Sequence, residues 1–167
     1  VTWSNTDHRS VDKVNVGRFT VGGDTEKGEV GELVSQGVIK VERIAAAIAR
    51  FGQRFADRVL TPREQRYVRQ HPETFAGRWA AKESVSKVLG LGVRGVGWRD
   101  IEIERLPTGQ PNVVLHGRAA QRAGQLGMGR IAVSISHEAE FAVAVAFGVR
   151  AAGGKYVFPL DIDARID

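Results

Sequence analysis

The sequence predicts an α+β fold: a single domain that contains, in order, three helices, a hairpin, a fourth helix and a second hairpin. Three observations predict it. Between residues 41 and 89, apolar residues recur every three or four positions, as on one face of a helix. After residue 100, apolar and polar residues alternate in two pairs of segments, as along half-buried strands. The 167 residues, 43% of them hydrophobic, can enclose one good core but not comfortably two.

The predicted domain spans residues 37–150, with helices packed on an antiparallel sheet. Residues 1–36 lack apolar periodicity and include a glycine-rich, charged stretch, so we expect them to form a loose or atypical leader. Residues 151–167 carry no periodic signal, and we expect a flexible tail there.

The first two helices have clear starting points. The first begins at Val41 and follows an apolar period of three and four as far as Phe55. The second begins after Thr61, which is a good N-cap residue. The proline that follows suits the first helical position, and Glu64 completes a capping box.

The third helix is expected from Glu73 to Leu89. It follows a His71-Pro72 pair that ends the second helix, and the Gly90-Leu91-Gly92 segment ends it in turn. Its candidate buried residues are Phe75, Trp79, Ala80, Val85, Val88 and Leu89. The later elements are a hairpin with strands at 100–104 and 112–115, a helix at 117–127, and a hairpin with strands at 131–136 and 141–149.

Composition excludes several classes of protein. The chain has no cysteine, which excludes disulfides, thiolate nucleophiles and cysteine-ligated zinc and suits a reducing cytoplasm. No apolar run approaches the roughly 20 residues that a membrane span requires. The N-terminus is polar where a secretory signal would be apolar. We therefore expect a cytoplasmic protein with no membrane partner.

Positive charge is concentrated in one segment. Eight basic and three acidic residues lie between Lys40 and Arg69, so this segment alone carries a charge of +5, equal to that of the whole chain. Such a patch attracts a nucleic acid, an acidic protein or a phosphorylated cofactor, although it can equally be an ordinary solvated helical face. The basic residues are Lys40, Arg43, Arg50, Arg54, Arg58, Arg63, Arg66 and Arg69.

Glu83 and Lys87 are the first candidate site residues. Being four apart on the third helix, they share one face, so a carboxylate and an ammonium lie side by side near Trp79. An ordinary surface ion pair has the same spacing, so this alternative stays open. Gly90 and Gly92 follow where a phosphate could meet backbone amides.

His137 is the next candidate, at the predicted tip of the second hairpin. Beside the hydroxyls of Ser134 and Ser136 it could bind phosphate or shuttle a proton, or it could simply be solvated. The chain has neither the nucleophile elbow of the serine hydrolases nor the glycine signatures of phosphate loops and dinucleotide sites. The residues alone therefore predict an anion-binding domain.

Several segments, in order, resemble holo-acyl-carrier-protein synthase, the short, trimeric branch of the 4'-phosphopantetheinyl transferases. The resemblance extends from about residue 37 to residue 149, and it implies the fold of that superfamily. The segments that carry it are Glu42–Ile44, Arg54–Thr61, Phe75–Lys87, Asp100–Ile103 and Val133–Glu138.

The resemblance implies an enzyme of fatty acid biosynthesis that transfers 4'-phosphopantetheine from coenzyme A to a serine of an apo-acyl carrier protein. Glu83 would hold magnesium against the coenzyme A pyrophosphate and help to deprotonate the serine. Lys87 would offset charge on the transferring phosphate, so both residues are catalytic candidates. Arg78 and His137 would contact coenzyme A phosphates.

The resemblance also assigns partners. Arg43, Arg50 and Arg54 would meet the acidic recognition helix of the carrier protein, which agrees with the concentration of charge found there. It implies a homotrimer with active sites at subunit interfaces. A nucleic-acid binder would also be basic, but few aromatic residues are interleaved along the patch, so we expect no nucleic acid as partner.

The sequence departs from the family at the first strand. The family has a Gly-x-Asp-aliphatic-aliphatic segment just before its Arg-Ile pair, and this Asp binds magnesium. Here the position six residues before Arg43 is Gly37, which has no ligand atom. A deletion, a frameshift in the coding sequence, or replacement of the Asp by Glu32 are the alternatives. The chain could therefore also be an impaired module that binds carrier protein or coenzyme A without turnover.

Overall fold

The computed structural model describes residues 19–21 and 32–150. The expectations for residues 1–18 and 22–31 of the leader and for the tail at 151–167 lie outside the described residues. The elements are β1 (Phe19–Val21), β2 (Glu32–Lys40), α1 (Val41–Phe51), α2 (Gln53–Val59), α3 (Pro62–Val68), α4 (Pro72–Val88), α5 (Gly92–Val96), β3 (Ile101–Arg105), β4 (Pro111–Leu115), α6 (Gly117–Gln125), β5 (Met128–His137) and β6 (Phe141–Arg150).

The described residues form two antiparallel sheets. The larger has the strand order β1-β2-β6-β5, and the smaller is the β3-β4 hairpin. In the larger sheet β2 pairs along its whole length with β6, from Lys40 opposite Phe141 to Glu32 opposite Val149. The predicted α+β class is confirmed, and both predicted hairpins are present.

Strand β2 differs from the sequence-based expectation. It begins at Glu32, five residues before the expected domain boundary at residue 37, and β1 also forms inside the expected leader. The strand is stabilised by backbone hydrogen bonds to β6, which the local sequence cannot reveal because β6 lies about a hundred residues further along the chain. Within β2, Ser35, Gly37 and Ile39 are buried, as alternation requires for one covered face.

Helices α1 and α3 begin at the two predicted starting points. Helix α1 begins at Val41, but the expected single helix up to Phe55 is interrupted at Gly52, whose φ of 52° is left-handed. The capping box at the start of α3 is present. The Glu64 amide donates to Thr61 Oγ1 at 3.3 Å, and the Thr61 amide donates to Glu64 Oε2 at 2.8 Å.

Helix α4 lies at the centre of the molecule. It packs on β2, β5 and β6 on one side and on α1 and β3 on others, so most of its residues are buried. Of its candidate core positions only Trp79 keeps partial exposure. The helix approaches the sheet closely at Gly37, where an added Cβ would lie 2.4 Å from the carbonyl oxygen of Ala80. Within residues 19–21 and 32–150, no helix is both long and apolar enough to span a membrane.

Candidate active site

Glu83 and Lys87 form an ion pair on the second half of α4. Lys87 Nζ lies 3.1 Å from Glu83 Oε1, and the two side chains keep 10% and 19% of their surface exposed, respectively. Lys87 also donates to the backbone carbonyl of Gln36 at 3.2 Å, which links the pair to β2. The Ser86 hydroxyl donates to the Glu83 carbonyl at 2.7 Å and so does not compete for the carboxylate. The structure thus presents one carboxylate and one ammonium, side by side and accessible, at the edge of the sheet.

Strand β2, where the family has its magnesium-binding Asp, adds no carboxylate to this pair on the face that covers α4. The face of β2 that covers α4 carries Ser35, Gly37 and Ile39, and Gly37 lies against Ala80, one turn before Glu83. Within the described part of the chain, the buried Ser35 hydroxyl has no hydrogen-bond partner. Among Ser35, Gly37 and Ile39, the only side-chain oxygen is therefore the neutral hydroxyl of Ser35.

Glu32 does not replace the missing carboxylate. It pairs with Val149, whereas Gly37 pairs with Ala144, so five residues of strand, roughly 17 Å at 3.3 Å per residue, separate the two positions. Because the separation is odd, the backbone also places residue 32 on the opposite face of the sheet. Within one protomer, the backbone register therefore argues against the alternative in which Glu32 acts beside Glu83.

No complete protein-only metal site is present in the described residues. Residues 19–21 and 32–150 contain no group of three or more His, Asp or Glu side chains that could hold a metal ion. Glu83 is a single, partly exposed carboxylate, which is enough for a cation whose other ligands come from substrate phosphates and water.

Arg78 and His137, distant in sequence, line the same cavity of about 180 Å³ beside α4. Arg78 is only 6% exposed, and its Nε, buried, has no hydrogen-bond partner among the described residues. Burial lowers the pKa of Arg78, and the nearby Tyr67 and Glu64 oppose this effect. A buried guanidinium with an unused donor is a good partner for an anion.

Gly77 allows β5 to approach α4 at this cavity. A Cβ at position 77 would lie 3.0 Å from Ile135 Cγ2 and 3.8 Å from His137 Cδ2. A larger residue would therefore push the end of β5 away from the helix. The tight contact is with Ile135, whereas His137 is at ordinary van der Waals distance and lines the cavity.

Two residues that the sequence analysis missed complete the cavity, Tyr67 on α3 and Arg105 at the end of β3. The Arg78 Cζ lies 4.8 Å from the centroid of the Tyr67 ring, and the Arg105 Cζ lies 5.3 Å from it. One aromatic ring thus holds two guanidinium groups at the same opening. No local spacing could have found Tyr67 and Arg105, because they lie on two different elements and meet Arg78 on a third.

The three arginines assigned to carrier binding lie on α1 and α2 and are not among the residues that line the cavity of Arg78 and His137. Arg43 and Arg50 on α1 and Arg54 on α2 are all exposed, as predicted. Arg54 also lines a groove of about 510 Å³ whose floor is aromatic. The rings of Trp79 and Trp98 in this groove are 3.9 Å apart, centroid to centroid.

Trp79 connects the arginine-bearing surface to Glu83. It lies one turn before Glu83 on α4, and its other ring neighbour is Phe55 of α2, at 5.8 Å between centroids. Arg54 and the Glu83–Lys87 pair are therefore connected through Trp79 of the aromatic groove. The cavity lined by Tyr67, Arg78, Arg105 and His137, called the anion cavity below, lies beside the first half of the same helix.

Comparison with known proteins identifies the family. The profile of the 4'-phosphopantetheinyl transferase superfamily matches residues 38–146. A holo-[acyl-carrier-protein] synthase of Koribacter versatilis is 48% identical over 111 residues, which cover 64% of this chain and 89% of the relative. The corresponding protein of Herpetosiphon aurantiacus is 42% identical over 119 residues, covering 67% and 94%.

Solved structures show the same fold. The holo-[acyl-carrier-protein] synthase of Helicobacter pylori, in complex with coenzyme A, is 28% identical with a TM-score of 0.62, covering 71% of this chain and 99% of its own. The Neisseria meningitidis enzyme is 29% identical with a TM-score of 0.64, covering 69% and 95%. The chain therefore belongs to the 4'-phosphopantetheinyl transferase superfamily and, within it, to the holo-[acyl-carrier-protein] synthase family.

Proposed function

We propose that this chain transfers the 4'-phosphopantetheine arm of coenzyme A to a serine of an apo-acyl carrier protein, as a cytoplasmic enzyme of fatty acid biosynthesis. The observation that carries the proposal is the arrangement along α4. The accessible Glu83–Lys87 pair lies on its second half, and the buried Arg78 of the anion cavity lies on its first half. Relatives that carry the name holo-[acyl-carrier-protein] synthase support the same activity.

The anion cavity is the proposed site for coenzyme A phosphates. The unused Nε donor of Arg78 and the guanidinium of Arg105 offer charge-assisted hydrogen bonds, and His137 lies across the opening. A phosphate here would satisfy a buried donor that otherwise lacks a partner, which is favourable because an unmade buried hydrogen bond destabilises the protein. The Helicobacter pylori relative was solved in complex with coenzyme A.

Glu83 is the proposed magnesium ligand. Magnesium usually takes one or two carboxylates with substrate phosphates and water, so the single partly exposed Glu83 fits the cation only when the pyrophosphate is bound as well. When bound, the cation would neutralise charge that develops on the phosphate oxygens. Position 37 offers no second carboxylate, so we expect an unusually high magnesium requirement.

In the proposed transfer reaction, each site residue has a separate role. The carrier serine forms a bond to the phosphorus that bears the pantetheine arm, the bond from that phosphorus to the bridging oxygen breaks, and adenosine 3',5'-bisphosphate leaves. Glu83 helps to remove the serine proton, and the Lys87 ammonium offsets charge on the transferring phosphate. Arg78 and His137 hold the leaving portion in position.

The surface that carries Arg43, Arg50 and Arg54 is the proposed docking site of the carrier protein. Arg43, Arg50 and Arg54 are exposed cations, Arg54 lines the aromatic groove, and the Arg50 guanidinium lies 5.0 Å from the ring centroid of Phe51 in that groove, which suits an acidic helix with an apolar side. Because Trp79 of this groove is one turn from Glu83, a helix docked here would bring its serine towards the carboxylate. Charge complementarity would act mainly on the association rate.

A homotrimer with active sites at subunit interfaces is the proposed assembly. Phe141, Val143 and Val145 of β6 are 36%, 36% and 41% exposed, although β6 is an interior strand of its sheet. They alternate with buried alanines that face α4, so the other face of the sheet carries an apolar patch. Such patches commonly mark protein interfaces.

A module that binds carrier protein or coenzyme A without turnover is the second candidate. Gly37 favours it, because the strand position expected to carry a carboxylate lies against the backbone of Ala80. Both candidates predict the same binding partners and differ only in the chemical step.

Mass spectrometry of a bacterial apo-acyl carrier protein, incubated with the chain, coenzyme A and a magnesium series, distinguishes them. The enzyme predicts a magnesium-dependent mass gain of one phosphopantetheine and release of adenosine 3',5'-bisphosphate. Binding of both partners by calorimetry with no mass gain at saturating magnesium supports the second candidate. Absence of binding to either partner contradicts both.

A further inference from the structure

Lys82, the residue before Glu83, is completely buried in a polar setting. Its Nζ lies 2.7 Å from Glu64 Oε2 and also donates to the carbonyl oxygens of Ile101 at 2.6 Å and Trp98 at 3.0 Å. An ammonium has three donor hydrogens, so these three partners use all of them. Lys82 is thus held by contacts to α3 and to the segment that leads into β3.

Glu64 is equally well held. Its side chain is 1% exposed, and Oε1 accepts a hydrogen bond from the Ile103 amide at 2.9 Å. Oε2 accepts from the Thr61 amide at 2.8 Å in addition to Lys82. One ion pair therefore links the start of α3, the middle of α4 and strand β3.

These are the three elements that supply the anion cavity. Tyr67 lies three residues after Glu64 on α3, Arg78 lies four residues before Lys82 on α4, and Arg105 lies two residues after Ile103 on β3. The spacings are one helical turn, one helical turn and one strand repeat, so each cavity residue shares a face with an anchored residue. A shift of any of the three elements would separate the guanidinium groups from the Tyr67 ring.

Stability does not explain why these charges are buried. Taking two ions out of water is unfavourable, and apolar residues of similar size often serve equally well or better. Burial lowers the pKa of Lys82, and the Glu64 carboxylate opposes this effect. What a hydrogen-bonded pair does supply is a single arrangement of the elements that it joins.

We infer that the Glu64–Lys82 pair sets the spacing of α3, α4 and β3 and thereby holds Tyr67, Arg78 and Arg105 in place for the phosphates of coenzyme A. Glu64 and Lys82 are positioning residues, because they act through the cavity residues. The inference rests on the proposed function for the identity of the ligand.

Calorimetric titration of coenzyme A into the parent chain and into Glu64→Met/Lys82→Met tests it, with thermal unfolding measured on the same samples. The double variant removes both charges together, so it leaves no unpaired buried ion. Leu126→Ala is the control, since it opens a buried position after α6, outside the three linked elements. We expect the double variant to fold and its dissociation constant to rise at least roughly tenfold, since small misplacements of binding groups have effects of this order.

Kinetics separate positioning from general loss of stability. We expect the KM for coenzyme A to rise with the dissociation constant and to rise more than the KM for carrier protein, because the pair joins all three elements of the anion cavity but reaches the aromatic groove only through the Trp98 carbonyl. The Leu126→Ala variant should unfold at a lower temperature and bind coenzyme A as the parent does. If it loses affinity as much as the double variant, or if the folded double variant binds within roughly twofold of the parent, the inference is wrong.

A second double variant keeps the test decisive if the first does not fold. Glu64→Gln/Lys82→Gln removes both charges but keeps polar atoms that can form hydrogen bonds, and the same tenfold criterion of roughly 1.4 kcal/mol applies to it. A parent chain that does not bind coenzyme A at all would overturn the proposed function as well. Parent binding with unaffected variants would overturn the positioning role alone.

Discussion

The ammonium of Lys87 lies 3.2 Å from the backbone carbonyl of Gln36, so the cation beside Glu83 is fixed to the neighbouring strand before any substrate binds. The carboxylate and the ammonium therefore keep one relative orientation. A substrate phosphate entering here would meet a preformed pair of charges and would not have to order two long side chains.

Replacing Glu83 with glutamine is expected to lower the transfer rate at least roughly 100-fold, since the variant keeps the volume but loses the charge that a magnesium ion needs. Transfer is measured as mass gain of the carrier protein. The thermal midpoint should stay close to that of the parent, because Glu83 is partly exposed. A rate within roughly tenfold of an active parent would contradict the assignment of the metal ligand.

Replacing Arg78 with lysine is expected to weaken coenzyme A binding by about 1.5–3 kcal/mol, the usual contribution of a hydrogen bond to a charged group, because lysine lacks the guanidinium fork. Titration calorimetry measures the change. Arg118→Lys, the same substitution at an exposed position of α6, is the matched control and should leave affinity unchanged. Equal affinities for both variants would show that coenzyme A does not occupy the cavity.

Reversing the charges of Arg43 and Arg54 to glutamate is expected to slow carrier-protein association by roughly 10- to 1000-fold at low salt, with little change in coenzyme A affinity. Both arginines are exposed, on α1 and α2, away from the anion cavity. Stopped-flow association at several salt concentrations measures the effect, which should shrink as salt is added. An equal loss of affinity for both substrates would refute the division of the surface into two sites.

Replacing Gly37 with alanine is expected to destabilise the fold by about 1–3 kcal/mol, because an added Cβ would lie 2.4 Å from a backbone oxygen of α4 and the helix would have to move. Urea unfolding measures the loss. Ser35→Ala, on the same buried face of β2, is the control and should change stability less. A neutral Gly37→Ala variant would mean that α4 can yield here, and then a carboxylate at position 37 could also be accommodated.

Replacing Val145 with lysine is expected to convert an oligomer into monomers, since a charge on the apolar sheet face would have to be desolvated in an interface. Light scattering after size exclusion gives the mass. Leu106→Lys, which alters an exposed apolar residue outside this face, should leave the mass unchanged. A parent chain that is already monomeric would rule out the proposed trimer.

Local patterns predicted the helices well because their signals lie within a few residues. The capping box of Thr61 and Glu64 needs a spacing of three, and the helix now called α4 ends one residue before its expected end at Leu89. Strand β2 was missed before Gly37 because its partner β6 is distant in sequence. Local sequence shows hydrogen-bonding capacity but not which distant strand fulfils it.

In the candidate site, too, contacts within one helix could be predicted from the sequence, and contacts between distant segments could not. Glu83 and Lys87 are neighbours by helical spacing alone, so the sequence could pair them. Tyr67, Arg78 and Arg105 meet only because three elements converge, and Lys82 was not singled out because a lysine in a helix usually lies at the surface. Register, likewise, was needed to show that positions 32 and 37 are separated by five residues along β2 and pair with Val149 and Ala144.

The pairing of β2 with β6 constrains how the protein is made. Every residue pair in that ladder joins positions about a hundred residues apart, so the strand emerges from the ribosome long before its partner exists. Until β6 is synthesised, α4 has no complete sheet to cover its apolar side, and the nascent chain exposes that surface. Folding of this domain is therefore expected to finish only after translation of its last strand, with a corresponding need for protection from aggregation while the chain is growing.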